Sequence, residues 1–218
     1  LCLYRLKDCQ PRASLVNGPY RFCGGQTFCG LSNLCHVLHL NELVQAASRL
    51  SQAQVDILLE MVEALSSPID QMLHPNSDFV DAAFAEQFSN RLRIHHATTS
   101  QKFKKKAFEY AFVEAARRGG HEASLAASAT TPGADTVRGG VRFSLKTEAS
   151  INISINSITI SKFSEARWIR ECRSPLDFCR GVQSRIPRHL SEYDRIITLR
   201  AIDQGSGCVR YDLVEIPI

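Results

Sequence analysis

Apolar residues recur at helical spacing through much of the first hundred residues. A helix is predicted at about residues 41–49, and Ser51 with Gln54 forms a capping-box pattern that predicts the start of a second helix. A third helix is predicted over residues 78–96. The apolar stripes of the second and third helices are Val55, Leu58, Leu59, Val62 and Leu65, and Val80, Phe84, Phe88 and Leu92. We expect both stripes to pack in a hydrophobic core.

A strongly basic helix is predicted next along the chain. Ser100 can cap this helix, and Gly119-Gly120 ends it. Residues 91–118 contain eight basic and two acidic residues, which gives a local net charge of +6. The charge belongs either to a solvated helix face or to a surface that faces phosphates, because neutralising phosphates supplies most non-specific affinity for DNA.

The segment from residue 132 to residue 146 carries the most informative pattern. Asp135 follows a Pro-Gly turn, and Gly139-Gly140 predicts a second turn that leads into a short strand. Side chains alternate along a strand, so its apolar and polar residues separate onto two faces. The apolar face has Val141, Phe143 and Leu145, and the polar face has Arg142, Ser144 and Lys146. We expect the hairpin to bring Asp135 and Lys146 close together on the polar face.

The rest of the chain predicts further strands and helices. Residues 151–160 alternate between isoleucine and small polar residues, which predicts one strand, or two strands joined by a tight turn near Asn156. Ser161 is expected to cap a helix over residues 162–172, and another helix over residues 176–186 is expected to end before Pro187. Residues 196–202 and 208–216 are predicted to close the chain as a β-hairpin.

The order of these elements predicts the fold class. Four helices, three strands, two helices and two strands favour an α/β (α+β) core with a mixed sheet. A mainly helical region over residues 1–99, with a loop-rich start, would precede the core at residues 100–218 within one compact domain. The hydrophobic fraction of 44% suffices for such a core, and the net charge of +4 permits a polyanionic partner. No apolar run approaches the roughly 18 to 20 residues that cross a bilayer and no signal-peptide pattern opens the chain, so a cytoplasmic protein is expected.

Eight cysteines raise the question of a zinc site. Five lie near the start of the chain: Cys2, Cys9, Cys23, Cys29 and Cys35. Their spacing does not match the paired knuckles of structural zinc sites, so reduced cysteines acting as small buried hydrophobes are favoured over zinc ligands.

The acid and the amine of the hairpin indicate metal-assisted chemistry. A carboxylate and a lysine held side by side on a rigid sheet can bind a divalent metal and activate water beside a phosphate. The alternative is structural, because Asp135 can cap its own turn and Lys146 can be an exposed edge-strand lysine.

Between residues 102 and 173 the chain resembles the PD-(D/E)xK nuclease superfamily, and within it the type II restriction endonucleases. The shared order is a helix with an acid, a turn with Pro132 and Asp135, a strand that ends Ser144-Leu145-Lys146, then a strand and a helix. Two residues separate Pro132 from Asp135 where the usual motif has none, and Ser144 replaces an acid of that motif. A serine at this place resembles the enzymes that cut CCGG or CCNGG-type sites, in which the following helix supplies the carboxylate.

This resemblance implies a restriction-endonuclease-like core, a mixed sheet flanked by helices, with a metal site. Asp135 would bridge one or two Mg²⁺ ions, for which Mn²⁺ can substitute, and Glu165 or Glu148 would complete the site. Lys146 would orient or deprotonate the attacking water and stabilise the phosphate in the transition state. Glu109 would hold a second metal through water, or be a surface acid that pairs with the lysines three and four residues before it.

The resemblance also implies double-stranded DNA as the partner. Candidate DNA contacts come from the basic helix, the hairpin and the helix that follows: Lys102, Lys105, Lys106, Arg138, Arg142, Ser144, Arg167 and Arg170. A homodimer is expected, because two-fold symmetric proteins read palindromic sites.

The sequence therefore predicts a Mg²⁺-dependent type II restriction endonuclease, inside a bacterial or archaeal cell, that hydrolyses phosphodiester bonds at a specific short DNA sequence. Two alternatives stay open: another nuclease of the superfamily that acts in repair or recombination, and a non-catalytic DNA-binding protein.

Overall fold

The computed structural model of the protein describes residues 2–6, 30–126, 133–158, 167–205 and 208–216, with the side chains of residues 2–6, 30–37 and 167 excepted. The chain divides into two units, one formed by residues 1–9 and 65–218 and the other by residues 10–64. The predicted basic helix and all of the described strands lie in the first unit. No helix among the described residues is long and apolar enough to cross a membrane.

The helices near the start of the chain are α1 (Gly30–Ala47) and α2 (Gln52–Ser66). The predicted capping box is confirmed, because the Gln54 side chain accepts a hydrogen bond from the Ser51 backbone N–H at 2.9 Å. The prediction that the stripe of α2 is core is wrong for the described structure: none of its residues is buried, and Leu59, Val62 and Leu65 are exposed.

The described strands are β1 (Cys2–Leu6), β2 (Ile69–Met72), β3 (Ala123–Leu125), β4 (Thr136–Arg138), β5 (Val141–Glu148), β6 (Arg195–Asp203) and β7 (Val209–Ile216). They form one sheet in the order β2-β1-β7-β6-β5-β4-β3. Within it β5 and β6 run parallel, and the other neighbours pair antiparallel. The predicted α+β class with a mixed sheet is confirmed. The strands β1 and β2 were not predicted.

Two helices bury aromatic side chains against the sheet. They are α3 (Ala82–Thr98) and α4 (Lys105–Arg118). Phe84, Phe88 and Leu92 of α3 are fully buried, as their spacing predicts, and they share one core cluster with Phe108 and Phe112 of α4. The rings of Phe84 and Phe112 meet edge to face, with centroids 5.3 Å apart. The same cluster includes Phe143 and Leu145 of β5, so the apolar face of the hairpin rests on this core.

Both of these helices begin later than predicted. The helix was predicted to begin at Asp78, but Asp81 caps α3, because its carboxylate accepts a hydrogen bond from the Phe84 N–H at 2.7 Å. Ser100 does not cap α4, which begins at Lys105. The residues between them are held outside the helix, because the Phe103 N–H donates to the Tyr211 hydroxyl at 3.1 Å. The predicted end of α4 at Gly119 is confirmed.

The strand predicted over residues 151–160 is wrong where the structure describes it. Residues 151–158 form bends and turns, and Ile151 is 91% exposed. Their backbone is held by Arg200 of β6, whose guanidinium donates to the Ser154 and Ser157 carbonyls. The alternating isoleucines therefore do not reflect a buried strand face.

The connection from β5 to β6 contains α5 (Arg167–Glu171) and α6 (Pro175–Leu190). Of the helix predicted over residues 162–172, only the part from residue 167 lies among the described residues. The prediction that the next helix ends before Pro187 is wrong, because α6 continues through that residue for part of a turn. Gly181 of α6 lies against the ring of Trp168. The β6–β7 hairpin at the end of the chain is confirmed.

Candidate active site

The β4–β5 hairpin places Asp135 beside the polar face of β5. Thr136 pairs with Phe143 and Arg138 with Val141, so Asp135, just before β4, lies next to Ser144. The Asp135 N–H donates to the Phe143 carbonyl at 2.8 Å, which fixes the backbone at this point. Gly139 and Gly140 form the turn with positive φ angles of 53° and 80°, a region that favours glycine. The predicted hairpin is confirmed.

Three groups of β5 surround one carboxylate oxygen of Asp135. Its Oδ2 accepts a hydrogen bond from the Leu145 N–H at 2.7 Å and from the Ser144 hydroxyl at 3.3 Å, and lies 3.5 Å from Lys146 Nζ. Lys146 Nζ also donates to the Ser144 hydroxyl oxygen. The expected proximity of Asp135 and Lys146 is thus observed. Ser144 is 1% exposed and lies inside this arrangement, so a direct DNA contact through its side chain is not available.

Helix α4 contributes two further charged groups. Lys105 Nζ lies 2.7 Å from Asp135 Oδ1 and 3.2 Å from Glu109 Oε1. Lys106 Nζ lies 3.3 Å from Glu109 Oε2. The expected pairing of Glu109 with these lysines is confirmed, but its expected surface location is wrong, because Glu109 is 7% exposed. We call Lys105, Glu109, Asp135, Ser144 and Lys146 the charged cluster.

Asp135 and Lys105 are partly shielded from water, and yet their pKa values favour the charged forms. Burial opposes the charged form of Asp135, but hydrogen bonding to Lys105 and the charge of Lys146 outweigh it, so the pKa of Asp135 lies below its usual value. Burial also opposes the charged form of Lys105, but its hydrogen bond with Asp135 raises the pKa of Lys105 above its usual value. The ion pair between Lys105 and Asp135 therefore keeps both of these partners charged.

The predicted additional metal ligands are not brought to Asp135 by the described residues. Glu148 is bound to Arg200, with 2.7 Å between Oε2 and Nε, and both side chains are nearly buried. Glu165 lies outside the described residues. Among the residues that the structure describes, no group of three or more His, Cys, Asp or Glu side chains is arranged to hold a metal ion. The available donors are the carboxylates of Asp135 and Glu109. They fit Mg²⁺, which is commonly held by one or two carboxylates together with water and substrate phosphates.

Besides Ser144, two of the predicted DNA contacts are engaged within the protein. Lys105 belongs to the charged cluster. Arg138 is 7% exposed, donates to the Phe79 carbonyl and lies over the Phe84 ring at 5.2 Å, so its prediction as a DNA contact is corrected. Arginine can bury its guanidinium in this way because the planar group stacks on an aromatic face.

The other predicted DNA contacts are more accessible. Lys106 is 60% exposed and lies over the Tyr110 ring. Lys102 donates to the Ser150 carbonyl, and Arg142 is paired with Asp194 at 2.8 Å on the surface. Arg170 is exposed on α5, and the Arg167 side chain lies outside the described residues.

Tyr193 also lies near this site, and no sequence pattern predicted its location. Its side chain is 2% exposed, and its buried hydroxyl has no hydrogen-bond partner among the described residues. Burial and the charge of Asp135 raise the pKa of Tyr193. The residue precedes β6, whose start pairs with β5, and only this long-range strand pairing brings it near Asp135.

The zinc question concerns cysteines that mostly lie outside the described residues, including Cys9, Cys23 and Cys29. Among the described residues, Cys172, Cys179 and Cys208 are reduced cysteines.

A mixed sheet that carries an acid and a lysine on one polar face is the arrangement expected of a DNA-cutting nuclease. Comparison with known proteins agrees. The family model described as SmaI, a type II site-specific deoxyribonuclease, matches residues 43–218. The chain therefore belongs to the SmaI family of type II restriction endonucleases, and it is an endodeoxyribonuclease, as predicted.

A relative with a curated description supports this family membership. The chain is 33% identical over 181 residues to the type II restriction enzyme SmaI of Serratia marcescens, and the match covers 81% of this chain and 69% of that enzyme. No solved structure matches the chain.

Proposed function

We propose that this protein is a Mg²⁺-dependent enzyme that hydrolyses phosphodiester bonds at one short sequence in double-stranded DNA, with the charged cluster as its active site. The observation that carries the proposal is the contact of Asp135 with the Leu145 N–H and with Lys146 on a fixed hairpin. We further propose that the site is an SxK variant of the PD-(D/E)xK arrangement, in which Ser144 replaces an acid.

Each residue of the proposed site has a defined task. Asp135 and Glu109 would hold the metal, with Glu165 or Glu148 as a further candidate ligand. Bound Mg²⁺, or Mn²⁺ in its place, would supply Lewis-acid stabilisation of the phosphate charge. Lys146 orients the attacking water and donates hydrogen bonds to the phosphate oxygens as negative charge develops on them. The Leu145 N–H and Ser144 hold the Asp135 carboxylate in place for these steps.

The proposed DNA contacts follow the distribution of exposed positive charge. Residues 167–190 contain six arginines and two acidic residues, a net charge of +4 that equals the formal charge of the whole chain. Most of the described side chains of α6 are exposed. Together with Lys102, Lys106 and Arg142, this region, which includes Arg167 and Arg170, would neutralise phosphates, and some of its arginines would reach base edges. A homodimer would present two such surfaces to a palindromic site.

Digestion of a long DNA of known sequence by the purified protein tests the proposal. With Mg²⁺ we expect discrete fragments, and with a chelator no cleavage. Asp135→Ala and Lys146→Ala should each abolish cleavage, while Asp56→Ala, which removes an exposed carboxylate on α2, should not. A smear would contradict sequence specificity. Cleavage that survives both substitutions would contradict the proposed site.

A further inference from the structure

One ammonium group of the charged cluster contacts two carboxylates that come from different elements. Lys105 Nζ lies 2.7 Å from Asp135 Oδ1, just before β4, and 3.2 Å from Glu109 Oε1, one helical turn further along α4. The neighbouring Lys106 approaches only the other oxygen of Glu109 among the contacts that the structure describes. Lys105 therefore occupies the position of a cation shared by two acids.

The shielding of these acids makes a cation necessary there. The side chains of Glu109 and Asp135 are 9% and 18% exposed. Two carboxylates that face one point in a partly water-excluded place repel each other. Lys105 removes this repulsion and keeps both oxygens directed at the same nitrogen.

We propose that Lys105 is a built-in counter-ion, which holds Asp135 and Glu109 ready for a divalent metal and is displaced when the metal binds. This inference rests on the proposed metal site. A divalent ion bound by the same oxygens would lie close to the ammonium and be repelled by it, so the two cations exclude each other. The Lys105 side chain is 30% exposed and has a flexible stem, which gives it a route into solvent. Lys105 is thus a positioning residue whose presence weakens metal affinity.

Metal binding by the full-length protein without DNA tests this inference, since no turnover occurs. Calorimetric titration with MgCl₂ and MnCl₂ would compare the wild type with Lys105→Met, Lys105→Arg and the matched control Lys106→Met. We expect Lys105→Met to bind metal about ten-fold more tightly, and Lys105→Arg, which keeps the charge, to resemble the wild type. Lys106→Met should give a clearly smaller gain, because Lys106 contacts only one of the two acids.

A second measurement covers variants with altered stability. In thermal unfolding, Lys105→Gln should have a lower Tm than the wild type without metal and a larger rise in Tm on addition of metal, because binding stabilises the folded state by mass action. A merely structural lysine would lower the Tm without raising the metal affinity. Unchanged or weaker metal affinity in Lys105→Met and Lys105→Gln would overturn the inference, and so would an equal gain in Lys106→Met.

Asp135→Asn separates this inference from the proposed function. If Asp135→Asn abolishes metal binding while the Lys105 variants bind like the wild type, the metal site stands and the counter-ion role is wrong. If Asp135→Asn binds metal as tightly as the wild type, the proposed metal site itself is wrong, and the counter-ion role fails with it.

Discussion

The two faces of strand β5 belong to two different buried regions, an apolar core and the charged cluster. On one side, Phe143 and Leu145 join a core cluster of aromatic and aliphatic side chains. On the other side, Ser144 and Lys146 join the charged cluster, where ion pairs outweigh the cost of burial. The core is built by apolar packing, whereas the charged cluster pairs two lysines with two acids. This difference suggests that the core provides rigidity and the cluster provides chemistry.

Removing the negative charge of Asp135 should have the largest effect on cleavage. Asp135→Asn is expected to lower the single-turnover cleavage rate by at least about a hundred-fold, because it removes a charge on which the phosphate chemistry depends. Affinity for the same DNA, measured without metal, should not fall, since one negative charge near the phosphates is lost. Weaker DNA binding that accounts for the lost cleavage would place Asp135 in DNA binding instead.

A substitution in the aromatic core should act on stability alone. Phe112 contacts the rings of Phe84, Phe108 and Phe143. Phe112→Ala is expected to lower the free energy of unfolding by about 3–5 kcal/mol, because it leaves a cavity in a buried cluster. Urea unfolding measures this loss. A loss below about 1 kcal/mol would show that the cluster is not the main source of stability.

Acid should distinguish a buried neutral group from the buried ion pairs. His96 lies beside the Tyr211 hydroxyl at 2.7 Å, and burial lowers its pKa from 6.5 to about 4. The folded protein then keeps His96 neutral at a pH where the unfolded chain binds a proton, so the free energy of unfolding falls as the pH drops from about 6.5 to about 4. His96 should contribute at most about 1.4 kcal/mol per pH unit to this slope, because a single proton is involved.

The matched measurement is the same pH series on His96→Gln, which should have a shallower slope than the wild type. Equal slopes would mean that other groups cause the loss of stability in acid. The pKa of Asp135 is lowered in the folded protein, so the stability that this residue provides should be lost only as the pH falls below its usual pKa.

The smallest effect is expected at Lys106, an exposed residue beside the charged cluster. Lys106 is 60% exposed. Lys106→Ala should leave the Tm nearly unchanged and weaken binding to all DNA sequences by a similar factor, with a salt dependence reduced by about one phosphate contact. Fluorescence anisotropy over a series of salt concentrations measures both quantities. A change of sequence preference would assign Lys106 to base recognition.

Local patterns predicted the elements that depend on neighbouring residues. The Gly139-Gly140 turn and the alternation of β5 predicted the hairpin, and therefore the proximity of Asp135 and Lys146. The aromatic spacing of α3 predicted its buried face. These features follow from strand and helix periodicity, which is encoded within a few residues.

Features that depend on distant residues could not be predicted in this way. The contact of Lys105 with Asp135 joins residues thirty positions apart. The isoleucines of residues 151–158 have a strand pattern, but Arg200 holds their backbone in a loop. The burial of Arg138 against Phe84 comes from tertiary packing, so the residues around Arg138 predicted an exposed DNA contact instead.

Single-turnover cleavage by Lys146→Met tests most directly the claim that the polar side of β5 is the active site. The substitution keeps most of the unbranched stem and removes the ammonium group, with its charge and its hydrogen bonds to Asp135 and Ser144. The variant should retain the circular dichroism spectrum and the DNA affinity of the wild type, and its cleavage rate with Mg²⁺ should fall by about a hundred-fold or more at a temperature where it stays folded. Cleavage at the wild-type rate would contradict the assignment of this site.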